Sequence, residues 1–189
     1  SVDLLVNGIQ TYDALLAAFA RATHHIHLEY YIFEPDKTGA RIRDALIEQA
    51  RRGIRVRLLL DRLSSKNADE AFLRPLREAG AEIEFFHPYF FKRLWRPEIN
   101  LRSHRKIVVI DGCTGFTGGI NITDAENERL RADAYRDLHL RLEGDAVREL
   151  QLVFVEDWVY ATGRREFIGE VAKAMPAPTR GTIPAQVVT

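Results

Sequence analysis

A histidine and a lysine two residues apart, His104 and Lys106, begin the segment of the sequence that is best suited to chemistry. In an extended strand, side chains two apart point to the same face, so this imidazole and this ammonium can approach one anion from the same side. Lys106 then serves as a point charge for a phosphate oxygen, and His104 as a neutral nucleophile or a proton donor. Asp111 falls on the opposite face of the same predicted strand, which favours a structural role for its carboxylate.

A glycine pair and an amide follow in the segment Gly118-Gly119-Ile120-Asn121. The glycines let backbone and substrate approach closely, and Asn121 can donate its amide to a second phosphate oxygen. An imidazole that attacks phosphorus must expose one nitrogen while the other keeps its proton, and a carboxylate usually holds that proton. Asp137 is our candidate for this orienting role, and an ion pair with a surface arginine is the alternative.

The pattern of hydrophobic residues predicts an α/β fold that can position these groups. Strands alternate with helices up to residue 86, which indicates a largely parallel sheet with helices on both faces. A turn at Gly112-Cys113-Thr114 then predicts a hairpin, so we expect a mixed, mostly parallel β-sheet. We predict strands over residues 2–6, 25–33, 54–61, 82–86, 105–111, 115–118 and 136–143, a helix after Thr11, and helices over residues 38–52, 68–79 and 145–163.

Composition excludes several classes of protein. The 189 residues have 27 basic and 27 acidic side chains and a formal net charge of zero, which argues against bulk electrostatic binding to nucleic acid. The single cysteine, Cys113, excludes an intrachain disulfide and a cysteine-rich zinc site. No apolar run is long enough to span a bilayer, and the first residues do not form a signal peptide. His25 and His27 share a strand face, but no third ligand has suitable spacing, so we predict no metal site.

The catalytic segments resemble the phospholipase D superfamily, whose signature is H-x-K-x4-D followed by G-G-x-N. Both parts of the signature match in full, and the resemblance covers residues 2–188. Three further segments, His27–Phe33, Asn100–Lys106 and Arg136–Gly144, are similar to those of bacterial cardiolipin synthases. The chain departs from that pattern at Tyr135, where a tryptophan is expected.

The resemblance implies a phosphatidyltransferase with a ping-pong mechanism and no cofactor or metal. One histidine attacks the phosphodiester of phosphatidylglycerol and forms a phosphohistidine, and a second histidine protonates the leaving alcohol and then deprotonates the incoming hydroxyl. Because His104 and Lys106 form the only H-x-K in the chain, this chain supplies half of such a site. The other half comes from a second part of a longer protein or from a homodimer mate.

The resemblance also implies a place in the cell and a division of the chain. We expect a bacterial, membrane-associated protein whose present segment is soluble and contacts anionic phospholipid peripherally at the cytoplasmic face. Residues 1–163 form the predicted phospholipase D-like domain. Residues 164–189, which contain Pro176, Pro178 and Pro184, are predicted to be a linker and the start of a missing second half.

Two alternative functions stay open. The first is a homodimeric phosphodiesterase or nuclease of the same superfamily, although we do not expect nucleic acid as a partner. The second is a non-catalytic domain that binds anionic lipid.

The roles of several charged and aromatic residues also stay open. Glu29 lines the site or forms an internal ion pair, and we group it with Arg102 and Arg105 as candidates for substrate binding. Between His87 and Ile107 there are six basic residues and one acid, a local net charge of +5. This segment suits anionic lipid headgroups, a nucleic-acid backbone with stacked bases, or packing beneath a second half. Its aromatic and basic residues before Arg102 are Tyr89, Phe90, Phe91, Lys92, Arg93, Trp95 and Arg96.

Overall fold

A seven-stranded sheet forms the centre of the computed structural model, which describes residues 1–86 and 103–177. The strands of this described part are β1 (Val2–Val6), β2 (His25–Tyr30), β3 (Arg55–Asp61), β4 (Glu82–Phe86), β5 (Lys106–Ile110), β6 (Thr114–Gly118) and β7 (Leu138–Glu143). The helices are α1 (Asn7–Ala20), α2 (Lys37–Arg51), α3 (Glu70–Glu78), α4 (Ala146–Thr162) and α5 (Glu166–Ala174), and a short 3-10 turn covers Asp124–Glu126.

The sheet is mixed, as predicted, but parallel pairs are the minority among the described strands. The strand order is β1-β7-β6-β5-β2-β3-β4. Only β2–β3 and β3–β4 pair in parallel within the described ranges, whereas β2–β5, β5–β6, β6–β7 and β7–β1 are antiparallel. The expectation of a mostly parallel sheet was therefore wrong. The reason is that β5, β6 and β7 follow one another as antiparallel neighbours, and β1 then adds antiparallel to β7 at the edge.

Helices cover both faces of the sheet, as predicted. On one face α1, α2 and α3 bury Leu15, Phe19 and Leu46 against the apolar side chains of β2, β3 and β5. On the other face α4 and α5 bury Phe154 and Trp158. Full burial of each such side chain stabilises the fold by about 1.5–3 kcal/mol relative to exposure. The strands at the centre therefore have apolar residues on both faces, and polar side chains there require a partner.

Local capping explains where the helices begin and end. The Asp36 side chain accepts a hydrogen bond from the Gly39 amide at 2.9 Å, and Asp69 does the same for the Phe72 amide at 2.9 Å. These acceptors satisfy backbone donors that have no partner within the first turn. Helix α4 ends at Gly163, whose φ of 73° lies in the left-handed region that glycine adopts without strain.

Helix α5 lies within the range that the sequence assigned to a linker. Its Phe167 and Val171 are buried beside Trp158, so residues 166–174 pack on the sheet as part of the same core. The division of the chain into a first domain and the start of a second half stays a prediction.

In the described part of the chain, we find no helix that combines the length and the apolar character required to cross a membrane.

Candidate active site

His104 and Lys106 converge on the ring of Tyr31. The His104 imidazole is exposed and stacks on Tyr31 with ring centroids 3.9 Å apart. The Lys106 ammonium lies 5.1 Å from the centre of the same ring and donates a hydrogen bond to the His104 carbonyl oxygen at 2.9 Å. The structure thus brings the imidazole and the cation together on one side of the strand, as the spacing predicted.

The ammonium of Lys106 is held in a largely buried position. Burial lowers the pKa of Lys106, while the nearby charges of Glu126, Tyr31 and Asp137 act in the opposite direction. A cation that has given up much of its water interacts more strongly with an anionic ligand than a fully hydrated one. Lys106 is therefore suited to hold a phosphoryl oxygen.

Glu126 positions Asn121, and sequence reasoning missed it. The Glu126 carboxylate accepts hydrogen bonds from the Asn121 backbone amide and from Asn121 Nδ2, both at 2.8 Å. The Tyr12 hydroxyl donates to the Asn121 carbonyl oxygen at 2.7 Å. These contacts fix both the backbone and the side chain of Asn121, and they leave one Nδ2 proton for a ligand.

Glu126 itself is buried, and burial raises the pKa of its carboxyl group. The hydrogen bonds from Asn121 and the charge of Lys106 favour the ionised form. The signal that could have revealed Glu126 is its position, since it is an acid five residues after Asn121 on the 3-10 turn Asp124–Glu126.

The glycine pair makes room for Asp137. A β-carbon added at Gly119 would lie 2.0 Å from Asp137 Oδ2, and one added at Gly118 would lie 2.5 Å from the Leu138 carbonyl oxygen. The carboxylate of Asp137 therefore lies directly against Gly119. It accepts a hydrogen bond from the Leu138 amide at 2.7 Å, and no hydrogen bond joins it to His104. The orienting role of Asp137 stays a prediction.

Asp111 lies at the far end of β5 and connects β5 to β2. Its carboxylate accepts hydrogen bonds from the Thr23 amide and hydroxyl and from the amides of His24 and His25, at 2.8–2.9 Å. Burial favours the neutral acid, but these donors outweigh it and lower the pKa of Asp111. This arrangement agrees with a structural role.

Glu29 and Arg105 lie on the other face of the sheet from Lys106, and both have protein partners. Glu29 is buried and accepts a hydrogen bond from the Ser103 hydroxyl. Arg105 forms an ion pair with Asp157 of α4. Sequence reasoning missed Ser103 and Asp157. Arg102 and the aromatic and basic segment 87–99 lie outside the described residues, so their proposed roles stay predictions.

An open cleft adjoins His104, and it is lined by Phe86, Ser103, Arg105, Glu156, Asp157 and Tyr160. The arrangement offers a substrate an exposed imidazole, a partly dehydrated ammonium and an oriented amide. This set of groups is suited to nucleophilic or acid–base chemistry on a phosphodiester. Within residues 1–86 and 103–177, no group of three or more His, Cys, Asp or Glu side chains is arranged to hold a metal ion.

Comparison with known protein families gives an independent description of the chain. Residues 15–158 match the family model described as cardiolipin synthase, PLD-like domain. The chain is 47% identical to cardiolipin synthase 1 of Bacillus cereus over 161 residues. This aligned region is 84% of this chain and 31% of that protein. It is 46% identical to the cardiolipin synthase of Geobacillus kaustophilus over 166 residues. This aligned region is 86% of this chain and 32% of that protein. The chain thus spans about a third of the length of the curated relatives it matches.

Solved structures agree with the fold. The phospholipase D family member Nuc from Salmonella typhimurium superposes with a TM-score of 0.63 at 18% identity, covering 84% of this chain and 93% of that chain. NucT from Helicobacter pylori gives a TM-score of 0.63 at 17% identity, covering 84% of this chain and 95% of that chain. At this level of identity the likeness concerns the fold alone.

Proposed function

Because the chain belongs to the cardiolipin synthase, PLD-like domain family, we propose that it supplies half of the active site of a phosphatidyltransferase. The observation that carries this proposal is the convergence of His104 and Lys106 on Tyr31, with the imidazole exposed. The identities of 45–47% to proteins named cardiolipin synthase support the same reaction class.

The proposed reaction is a double displacement at phosphorus. An imidazole nitrogen attacks the phosphorus of one phosphatidylglycerol, the bond to the glycerol oxygen breaks, and a phosphohistidine forms. The second imidazole donates a proton to the departing glycerol oxygen. It then accepts a proton from a hydroxyl of another phosphatidylglycerol, whose oxygen attacks phosphorus and releases the first imidazole. His104 is one of these two imidazoles.

The residues around His104 receive distinct roles in this proposal. Lys106 and Asn121 hold the phosphoryl oxygens, and their preorganised charge and dipole stabilise the negative charge of the transition state. Asp137 orients His104 once substrate is bound. Gly119 allows the close approach of Asp137, Gly118 allows that of Leu138 and His139, and Asp111 maintains the end of β5.

In this proposal the second imidazole comes from outside this chain, because His104 and Lys106 form its only H-x-K motif. We propose a second half of a longer protein as its source, since the relatives are about three times as long as the matched region. We further propose that the protein acts on anionic phospholipid at the cytoplasmic face of a bacterial membrane through peripheral contact.

Replacement of His104 in the full-length protein tests this function. We expect His104→Ala to lower the transfer rate with phosphatidylglycerol by at least about 100-fold, since it removes a nucleophile or a proton carrier. Glu149→Gln, an exposed acid in the first turn of α4, is the matched control and should retain full activity. Unchanged turnover in His104→Ala would instead favour a non-catalytic domain that binds anionic lipid.

A homodimeric phosphodiesterase is the second candidate, and its support is the fold that the chain shares with two phospholipase D-like structures. The chain covers 93% and 95% of the two phospholipase D-like structures, compared with about a third of the synthases. Two copies can then complete the site. The mass of the protein in solution, followed by assays on phosphatidylglycerol and on DNA, separates the two functions. Cleavage of DNA without lipid turnover would contradict the transferase proposal.

A further inference from the structure

The residues on both sides of His104 are held by two buried acids. Ser103 donates its hydroxyl hydrogen bond to Glu29 of β2, and Arg105 forms its ion pair with Asp157 of α4. Because side chains alternate along an extended chain, Ser103 and Arg105 face α4 while His104 faces Tyr31. The two acids therefore fix the backbone on either side of the imidazole from the side of the chain that is opposite Tyr31.

The Glu29 and Asp157 carboxyl groups interact with each other in a buried environment, where the charge of Asp157 acts on Glu29. Glu29 is 1% exposed and Asp157 is 9% exposed. One oxygen of Glu29, Oε1, accepts a hydrogen bond from Ser103, whereas Oε2 is buried and meets no donor among residues 1–86 and 103–177. Two ionised carboxylates in contact repel each other strongly where water is excluded, and one shared proton removes the repulsion.

The charges around the pair also require a proton. The groups that face Glu29 are Asp157 from α4, Ser103 and Arg105 from the chain before β5, and His27 from the same face of β2. Burial keeps His27 neutral by lowering its pKa, so Arg105 is the only cation among these described groups. The charge of Arg105 balances the charge of one carboxylate. The second carboxyl group has no cation among these described groups to balance it, so it is more stable as the neutral, protonated acid.

We propose that Glu29 and Asp157 share one proton and act as a positioning pair that holds His104 in place for attack on the phosphodiester. The inference rests on the proposed role of His104. The proton links Glu29 Oε2 to the Asp157 carboxylate, Glu29 Oε1 retains Ser103, and Asp157 retains Arg105. Loss of the proton places two negative charges side by side and shifts the segment 103–105 that both acids hold.

The pair predicts a specific dependence on pH. Burial, reinforced by the charge of Asp157, raises the pKa of Glu29 to about 8. The proton is therefore present at neutral pH and is lost as the pH rises through about 8. Activity should fall over that interval, and the folded protein should lose stability from above the ordinary pKa of a glutamate up to the same pH.

Glu29→Gln in the full-length protein isolates the effect of the proton, since its amide donates to Asp157 permanently and its carbonyl oxygen accepts from Ser103. We expect this variant to keep kcat within about two-fold of the wild type at neutral pH and to lack the alkaline fall in activity. Glu29→Ala removes both contacts and should lower kcat by on the order of 100-fold with a much smaller change in KM, because the imidazole is misplaced. Glu149→Gln again serves as the control and should keep the wild-type pH profile.

Infrared difference spectra supply a readout that does not depend on activity. The wild type at neutral pH should show the carbonyl stretch of a protonated carboxylic acid, and Glu29→Gln should lack it. The absence of that band in a folded wild-type protein overturns the shared proton. An alkaline fall that persists unchanged in Glu29→Gln, or a loss at neutral pH as large as in Glu29→Ala, overturns the positioning role. Activity retained in His104→Ala would instead reject the proposed function, and the band would still test the pair.

Discussion

Asn121, to which we assign the binding of a phosphoryl oxygen, has its amide positioned by another residue. Its backbone and side chain are both held by the buried Glu126, and the Tyr12 hydroxyl holds its carbonyl oxygen. The amide therefore needs no reorientation when a phosphoryl group arrives. Preorganisation of this kind lowers the free-energy cost of binding.

Glu126→Gln should weaken binding of the phosphodiester. The substituted amide can accept only one of the two hydrogen bonds from Asn121, and it presents a donor to the other. A buried donor without a partner costs about 1–3 kcal/mol, so we expect KM for phosphatidylglycerol to rise roughly ten-fold. Steady-state kinetics measure the effect, with exposed Asp133→Asn as the control. An unchanged KM would mean that Asn121 does not hold the substrate.

Gly119→Ala should impair catalysis by displacing Asp137. The new β-carbon would lie 2.0 Å from the Asp137 carboxylate, so that the carboxylate must move. We expect kcat to fall by about 10- to 100-fold with the fold retained, which circular dichroism can verify. Gly169→Ala in α5 is the matched control, because no atom of the described residues lies within 4 Å of its added β-carbon. That variant should keep activity and gain up to about 1 kcal/mol of stability. Equal activity of Gly119→Ala and Gly169→Ala would show that catalysis does not depend on the position of Asp137.

Strands β2 and β7 contain buried histidines, which make the free energy of unfolding depend on pH. His27 stacks on Phe154 with ring centroids 4.9 Å apart, and His139 of β7 is fully buried. Burial lowers the pKa of His25 and of His139 to about 4, and it lowers the pKa of His27 well below its ordinary value. The folded protein therefore holds these imidazoles neutral under conditions where the unfolded chain protonates them.

Stability should fall as the pH decreases from about 6.5 towards about 4. Over that interval the unfolded chain binds more protons than the folded one, so the free energy of unfolding decreases, by up to roughly 3 kcal/mol for a shift such as that of His25. Urea unfolding at neutral pH and at about pH 5 measures the change. His27→Gln, which stays neutral, should show a smaller decrease than the wild type. A free energy of unfolding independent of pH in this range would contradict the prediction.

Most elements of the fold could be predicted from the sequence because they have a local signal, although α5 lies in a range that was assigned to a linker. Strands β1 and β4 coincide with their predicted ranges, and the other predicted elements agree within a few residues, since hydrophobic periodicity and glycine stops are local. The direction of strand pairing could not be predicted, because it depends on contacts between distant segments such as β1 and β7.

The candidate site was predictable in the same uneven way. His104 and Lys106 lie in one strand-like segment, so the period of two placed them together correctly. Asp157 is 52 residues from Arg105, and only the folded chain brings them into contact. A signal did exist, since Asp157 continues the buried stripe of α4 formed by Val147, Leu150 and Phe154. A charged residue in an apolar stripe indicates a buried partner.

The whole chain presents His104 at its surface, although it covers only about a third of its curated relatives. In the proposed mechanism His104 cooperates with a second imidazole, so it has to be accessible to the unit that supplies that imidazole. We therefore expect the 189-residue chain alone to be nearly inactive as a monomer.

A concentration series tests this expectation. If two copies complete the site, the specific activity of the isolated chain should rise with protein concentration and follow the dimer fraction measured by light scattering. If a second half of a longer protein is required, the activity should stay low at every concentration and return when that half is added. High turnover by a proven monomer would contradict both arrangements.

The first strand also has a practical consequence for enzymology. The Asn7 amide donates a hydrogen bond to the Asp137 carbonyl oxygen at 2.9 Å, and β1 pairs with β7 along its whole length. Removal of residues 1–7 would therefore remove the backbone contacts that hold Asp137 and β7 in place. We expect a protein shortened in this way to lose activity although His104, Lys106 and Asn121 are all still present. The loss would then reflect the missing backbone contacts and not a change in the reacting groups.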